Sequence, residues 1–192
     1  MAMIFKDWLL HICLMMFFTE ISSQGCSQLH SRLQEMNKGN LALLNNKTGP
    51  TIPLQCIDDI LNFSPGNGSL ATIDVSNEEN AKVAIKEIFQ QTGLLFKLNH
   101  NEMSWDENSI SAFLAGLDQQ IQNLERCLNA SPRSQQVQLS RVRVKRYFQK
   151  LSVLLKEKKY SQCSWEIVWI QVKFSGNMAT QIQGRERREN HF

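Results

Sequence analysis

No run in this 192-residue sequence reaches the roughly 20 consecutive apolar residues needed to span a bilayer. The longest apolar stretch, Trp8 to Phe18, is eleven residues. Glycine and proline are also scarce, nine and four respectively, and the prolines stand at Pro50, Pro53, Pro65 and Pro132. No two cysteines form a C-x-x-C pair, and His30, His100 and His191 show no ligand spacing, so no zinc site is expected. No serine, histidine or acidic residue lies in a motif that activates a nucleophile or holds a cofactor. The chain therefore reads as a non-enzyme with no catalytic, metal or cofactor residues. Charge of one sign is not in large excess either, with 21 basic against 18 acidic residues, which argues against a nucleic-acid partner.

The first 25 residues read as a secretory signal peptide. Lys6 precedes the apolar run, and Ser23-Gln24-Gly25 places small residues before Cys26, where cleavage is expected. Residues 26–192 are then one domain with no membrane insertion, carrying 20 basic and 16 acidic residues. Three basic groups stand out: Arg141 to Arg146, Lys156 to Lys159 and Arg185 to Arg188. They read as solvated helix faces or tail, with weak binding to extracellular acidic polysaccharide as the functional alternative. Without Cys13, the four cysteines Cys26, Cys56, Cys127 and Cys163 fit two disulfides in an oxidising compartment, and spacing alone leaves three pairings open. Glycosylation sequons at Asn46, Asn62, Asn67 and Asn129 suit the same route.

Helical periodicity dominates the chain beyond the signal. Leu29, Leu33 and Met36 begin an amphipathic stripe that continues with Leu41, Leu43 and Leu44 after an interruption near Lys38-Gly39-Asn40. Residues 46–77 hold three of the prolines and read as a long connection. Ser76, with Glu79 three residues on, fits a capping box before Ala81, Ile85, Ile88, Thr92 and Leu95. Ile110, Phe113, Leu117, Ile121, Leu124 and Leu128 then step by three or four, and Val144, Phe148, Leu151 and Leu155 do so again. With no alternating segment left to build a sheet, the pattern predicts an all-α bundle.

The stretch Lys156 to Val172 joins a lysine cluster, one cysteine and an apolar run with Trp165 and Trp169. Ile167, Val168, Ile170 and Val172 favour strand by propensity, but no other strand exists to pair with them. As a helix from about Ser161 to Gln183, capped by Ser161, it aligns Trp165, Val168, Val172, Ser175 and Ala179 on one side. Ile167, Ile170, Phe174 and Met178 form a second stripe, with Trp169 between the two. Two arrangements account for it: a central helix covered on both sides, or a core stripe backed by a protein-binding patch.

Val144-Lys-Arg-Tyr-Phe148, Leu155-Lys-Glu-Lys-Lys-Tyr-Ser161 and Cys163-Ser-Trp-Glu-Ile-Val168 closely resemble the last third of the type I interferons. Ser104-Trp-Asp-Glu107, Leu117-Asp-Gln-Gln120 and Leu124-Glu-Arg-Cys127 are similar to that family's third helix. The resemblance implies a five-helix cytokine bundle with a long first connection, and pairs Cys26 with Cys127 and Cys56 with Cys163. It also implies a secreted antiviral and immunomodulatory cytokine that bridges a high-affinity and a low-affinity receptor chain. The high-affinity chain would meet Ile57, Asp59, Ile60, Trp169, Ile170 and Lys173, and the low-affinity chain Lys145. Ile60 and Trp169 depart from the arginines that many members carry at these places. That departure motivates a second expectation, a receptor-binding antagonist or a divergent helical cytokine of another receptor group. A third, remote expectation is a secreted carrier whose second stripe lines a cavity for an apolar ligand.

Overall fold

The structure is a computed structural model and describes Cys26 and residues 28–45, 53–64, 70, 73, 77–98, 105–128 and 134–189. The signal segment 1–25 and the sequons at Asn46, Asn67 and Asn129 lie outside the described residues. Six α-helices and one 3-10 turn make up the described secondary structure: α1 (Leu29–Asn45), the turn Leu54–Cys56, α2 (Ile57–Asn62), α3 (Glu78–Phe96), α4 (Glu107–Arg126), α5 (Gln135–Glu157) and α6 (Gln162–Glu189). The fold is all-α, as the periodicity predicts. The turn and α2 are additions, set within a stretch that shows no helical period. None of the described helices is long and apolar enough to cross a membrane.

Local chemistry fixes the helix starts. Asp106 accepts a hydrogen bond from the Ser109 amide at 3.0 Å and another from its hydroxyl at 2.8 Å. Ser134 accepts from the Val137 amide at 3.3 Å, and Ser161 from the Ser164 amide at 3.4 Å. Each cap satisfies one backbone donor that the helix cannot satisfy itself. The cap of α3 is Asn77, not the expected Ser76: its side-chain oxygen accepts from the Asn80 amide at 3.0 Å. Asparagine caps at least as well as serine, and the shift leaves Glu78 and Glu79 in the first turn, where the helix dipole favours them.

The interruption expected near Lys38-Gly39-Asn40 is absent, and α1 runs through it. Tertiary bonds compensate for its weak local propensity. Asn37 Nδ2 donates to the Gly176 carbonyl at 2.8 Å and to Thr180 Oγ1 at 2.9 Å, both on α6. Asn40 Nδ2 donates to the Phe113 carbonyl on α4 at 3.2 Å. Gly116 makes this approach feasible, because a Cβ there would lie 1.8 Å from Asn40 Oδ1. Leu43, expected on the inner stripe, is instead exposed.

α6 is the most widely shared element, packing on α1, α2, α3 and α5 and on the 3-10 turn, while α3 also packs on α4 and α5, and α1 on α4. The core between them is rich in large rings. Phe96 stands 5.1 Å from Phe113 and 5.9 Å from both Trp105 and Trp165, centroid to centroid. Tyr147, buried on α5, donates its hydroxyl to Gln171 Oε1 on α6 at 2.6 Å, and burial pushes its phenol above the usual range. Disulfides join Cys26 to Cys127 and Cys56 to Cys163, closing sequence separations of 101 and 107 residues.

Candidate functional site

The Cys56–Cys163 bridge ties the turn before α2 to the start of α6, and the two helices pack together. One candidate face is built on that junction. Ile57 is exposed and Ile60 half-buried on α2. Asp59 is engaged within the fold: its Oδ1 lies 2.8 Å from Lys158 Nζ, fastening α2 to the α5–α6 turn. Both partners are partly exposed, so the pair contributes on the order of 0.2–1 kcal/mol and serves chiefly to orient the segment. Leu54 is 85% exposed and Leu61 76%, which makes this the most openly apolar segment of the described surface. Sequence reasoning missed both leucines. The signal was present: apolar residues beside Cys56, in a segment with no helical period, have no core stripe to join.

Across the junction, α6 contributes half-buried Ile170 and Lys173 and exposed Phe174. Trp169, expected on this receptor-facing side, is 3% exposed and belongs to the core. Its ring meets Trp105 edge-on at 5.7 Å, and Lys173 Nζ sits 5.3 Å from its centroid. The correction has a clear physical cause. Ser164 to Trp169 are six consecutive buried residues, so the first turns of α6 are covered all round. Trp105, just ahead of α4, supplies the cover that a helical wheel cannot reveal. The second stripe therefore divides: Ile167 is buried, Ile170 and Met178 are half-buried, and only Phe174 faces outward. Of the two expected arrangements, the helix covered on both sides describes the first turns of α6, and beyond them Phe174 is exposed.

Glu166 lies within the same buried turns. Desolvation raises its carboxyl above the ordinary 4.5, and the Lys173 charge partly offsets that rise. Trp165, by contrast, is where the stripe places it, fully buried against Phe96.

The second candidate face is a cleft of about 380 Å³ among α3, α4 and α5. Leu94, Leu114, Asp118, Ile121 and Lys145 line it, with Glu87 at its base. Lys145 is 60% exposed and its Nζ stands 3.9 Å from Glu87 Oε1, itself on a side chain only 8% exposed. That same Oε1 accepts from Gln91 Nε2 at 2.9 Å. The cleft thus presents a cation held over a buried carboxylate, beside exposed Leu94. Of the sequons, Asn62 is the one described, exposed at the end of α2.

The helices that build these faces match known proteins. A family model described as the interferon alpha/beta domain matches residues 29–185. Interferon alpha-1 of Sus scrofa is 32% identical over 177 residues, covering 88% of this chain and 90% of the relative. Interferon beta of Tachyglossus aculeatus aculeatus is 32% identical over 158 residues, covering 81% and 83%. Among solved structures, zebrafish interferon 1 superposes with a TM-score of 0.67 at 23% identity, covering 82% of this chain and 97% of its own. That last likeness speaks to fold alone.

Proposed function

The chain belongs to the type I interferon family, and we propose from that membership that it is secreted and bridges two different receptor chains on a cell surface. The protein is a cytokine; its activity is assembly, not chemistry. The observation that carries the reading is the presence of two candidate faces on different helices of one disulfide-pinned bundle. One comprises α2 and the outer side of α6, with Leu54, Ile57, Leu61, Ile170, Lys173 and Phe174. The other is the α3–α4–α5 cleft with Lys145. Simultaneous occupation of both turns the second receptor contact into an effectively intramolecular event, so a weak second site suffices.

The first face is assigned to the high-affinity chain because it offers large exposed aliphatics and an aromatic, the kind of group that anchors a protein interface. Its cation comes from Lys173 on α6, while position 169 has been turned over to the core. The Lys145 face is assigned to the low-affinity chain. Asp59 contributes indirectly, by holding α2 through Lys158.

The test is separate binding of purified protein to each same-species receptor chain, combined with an antiviral assay on cells. Lys145→Glu should weaken one chain only, and Leu61→Asp the other only. Absence of binding to both chains would overturn the reading. Ile60, where many relatives carry arginine, favours one alternative: binding to both chains without an antiviral state identifies an antagonist. Ile60→Arg should then tighten the α2–α6 contact by restoring a charge-assisted donor.

A further inference from the structure

The charge of this chain is concentrated on one helix. α5 carries Arg141, Arg143, Lys145, Arg146, Lys150 and Lys156 against the single acid Glu157, a formal +5. Since the whole chain is +3, everything outside α5 sums to −2. Within α5 the cations divide by direction. Lys145 turns toward Glu87 on α3. Arg143, Arg146 and Lys150, spaced by three and four, form a row on another side, about 10 Å long at 1.5 Å per residue.

That row borders a second cleft, of about 460 Å³, between α5 and the end of α2. Arg146, Gln149, Lys150 and Val153 line one wall, Asn62 and Phe63 the other, with Ser64 and the acid Glu157 at the margins. Two cations, two amides and a hydroxyl therefore converge beside the apolar surfaces of Phe63 and Val153, the latter exposed. Charge complementarity calls for an anion, and the mixed lining calls for one with both hydroxyls and apolar ring faces.

We propose that the outer side of α5 and this cleft bind a sulfated extracellular polysaccharide. Arg143, Arg146 and Lys150 take the sulfates, guanidinium groups matching their paired oxygens, while Gln149 bonds ring hydroxyls and Val153 packs on a sugar face. A membrane or a nucleic acid fits less well. The aromatics of α5, Tyr147 and Phe148, are buried, which leaves half-buried Phe63 as the one ring lining the cleft, too little aromatic surface to anchor in a lipid interface or to stack successive bases. The site adjoins the α2 end of the first receptor face without sharing a contact residue with either face, and would retain the cytokine near the cells that release it.

The test uses full-length mature protein over an immobilised heparin oligosaccharide, with salt titrated around 0.15 M. Arg143→Gln/Arg146→Gln/Lys150→Gln should lower affinity at least about tenfold, and lower the steepness of the log–log salt dependence by about two to three. A control removing the same charge from other exposed sites, Arg32→Gln/Lys38→Gln/Lys97→Gln, should cost less than about threefold. Val153→Glu removes no cation, yet should weaken binding several-fold by placing a carboxylate in the cleft. Circular dichroism melts report that each variant is folded. Equal losses in the two triple variants would reduce the effect to net charge and overturn the proposal. So would unchanged binding by Val153→Glu, or tighter binding to single-stranded DNA or phosphatidylserine vesicles than to heparin.

Discussion

Trp169, Lys173 and Glu166 are spaced as neighbours along one side of α6, and their environments make opposite demands. Trp169 is buried against Trp105 with the Lys173 ammonium near its ring, so the site is shaped for an indole. Trp169→Ala should cost about 3–5 kcal/mol in urea unfolding. Trp169→Arg should cost at least as much, because a guanidinium there would be buried among aromatic rings. A Trp169→Arg variant as stable as the parent would refute the burial. Glu166 has the reverse relation to stability. Its folded carboxyl titrates above the ordinary 4.5, so between that value and the raised one the native state holds more protons than the unfolded state. Stability therefore falls as pH rises through this window, and the loss persists at neutral pH. Glu166→Gln should raise the melting temperature at pH 7 and leave it unchanged near pH 4; equal shifts at both would contradict the assignment. None of this was legible in the sequence, which shows the spacing of Trp169 but not the arrival of Trp105 from the segment before α4.

At the level of elements, long helices were legible and short ones were not. α3, α4 and α5 each carry several turns of apolar residues at three and four spacing, enough for the period to register before any partner is known. α2 spans six residues, too few to show a period, and is held by the Cys56 bridge and Lys158 instead of by its own propensity. α1 errs the other way: Lys38-Gly39-Asn40 looks like a break, yet the helix runs through it, and Asn37 and Asn40 become seams to α6 and α4 once those helices are in place. The α5–α6 connection holds a further constraint that sequence conceals. Lys159 and Tyr160 both adopt left-handed backbone, φ 52° and 58°, while the Tyr160 amide donates to the Leu155 carbonyl at 2.7 Å. For side chains with a Cβ this conformation costs about 1–2 kcal/mol per residue. Exposed Lys159 makes the better test. Lys159→Gly should stabilise the fold by up to about 1 kcal/mol, and Lys159→Val should destabilise it by a similar amount, both read as midpoint shifts in urea. A Lys159→Gly variant less stable than the parent would place the strain elsewhere.

For the whole molecule, the two disulfides differ in what they hold. By chain-entropy reasoning, loops of about 100 residues give each bridge up to about 4.7 kcal/mol, so stability alone does not tell them apart. Geometry does. Cys26–Cys127 joins the chain ahead of α1 to the end of α4, two helices that already pack together. Cys56–Cys163 anchors α2, a single-turn-and-a-half element whose other tether is one partly exposed ion pair, onto the start of α6. Opening the second bridge should therefore release one face and spare the other. In Cys56→Ser/Cys163→Ser, binding through α2 and α6 should fall by more than tenfold, while binding through the Lys145 cleft stays within about twofold, since α3, α4 and α5 keep their mutual packing. In Cys26→Ser/Cys127→Ser both contacts should survive at temperatures where the bundle remains folded. Surface-immobilised receptor chains, one at a time, read these four values directly. If removal of Cys56–Cys163 weakened both contacts equally, the faces would be coupled through the core and the two-site account of bridging would fail. If it weakened neither, α2 would not belong to the receptor-facing surface, and exposed Leu54 and Leu61 would need another partner.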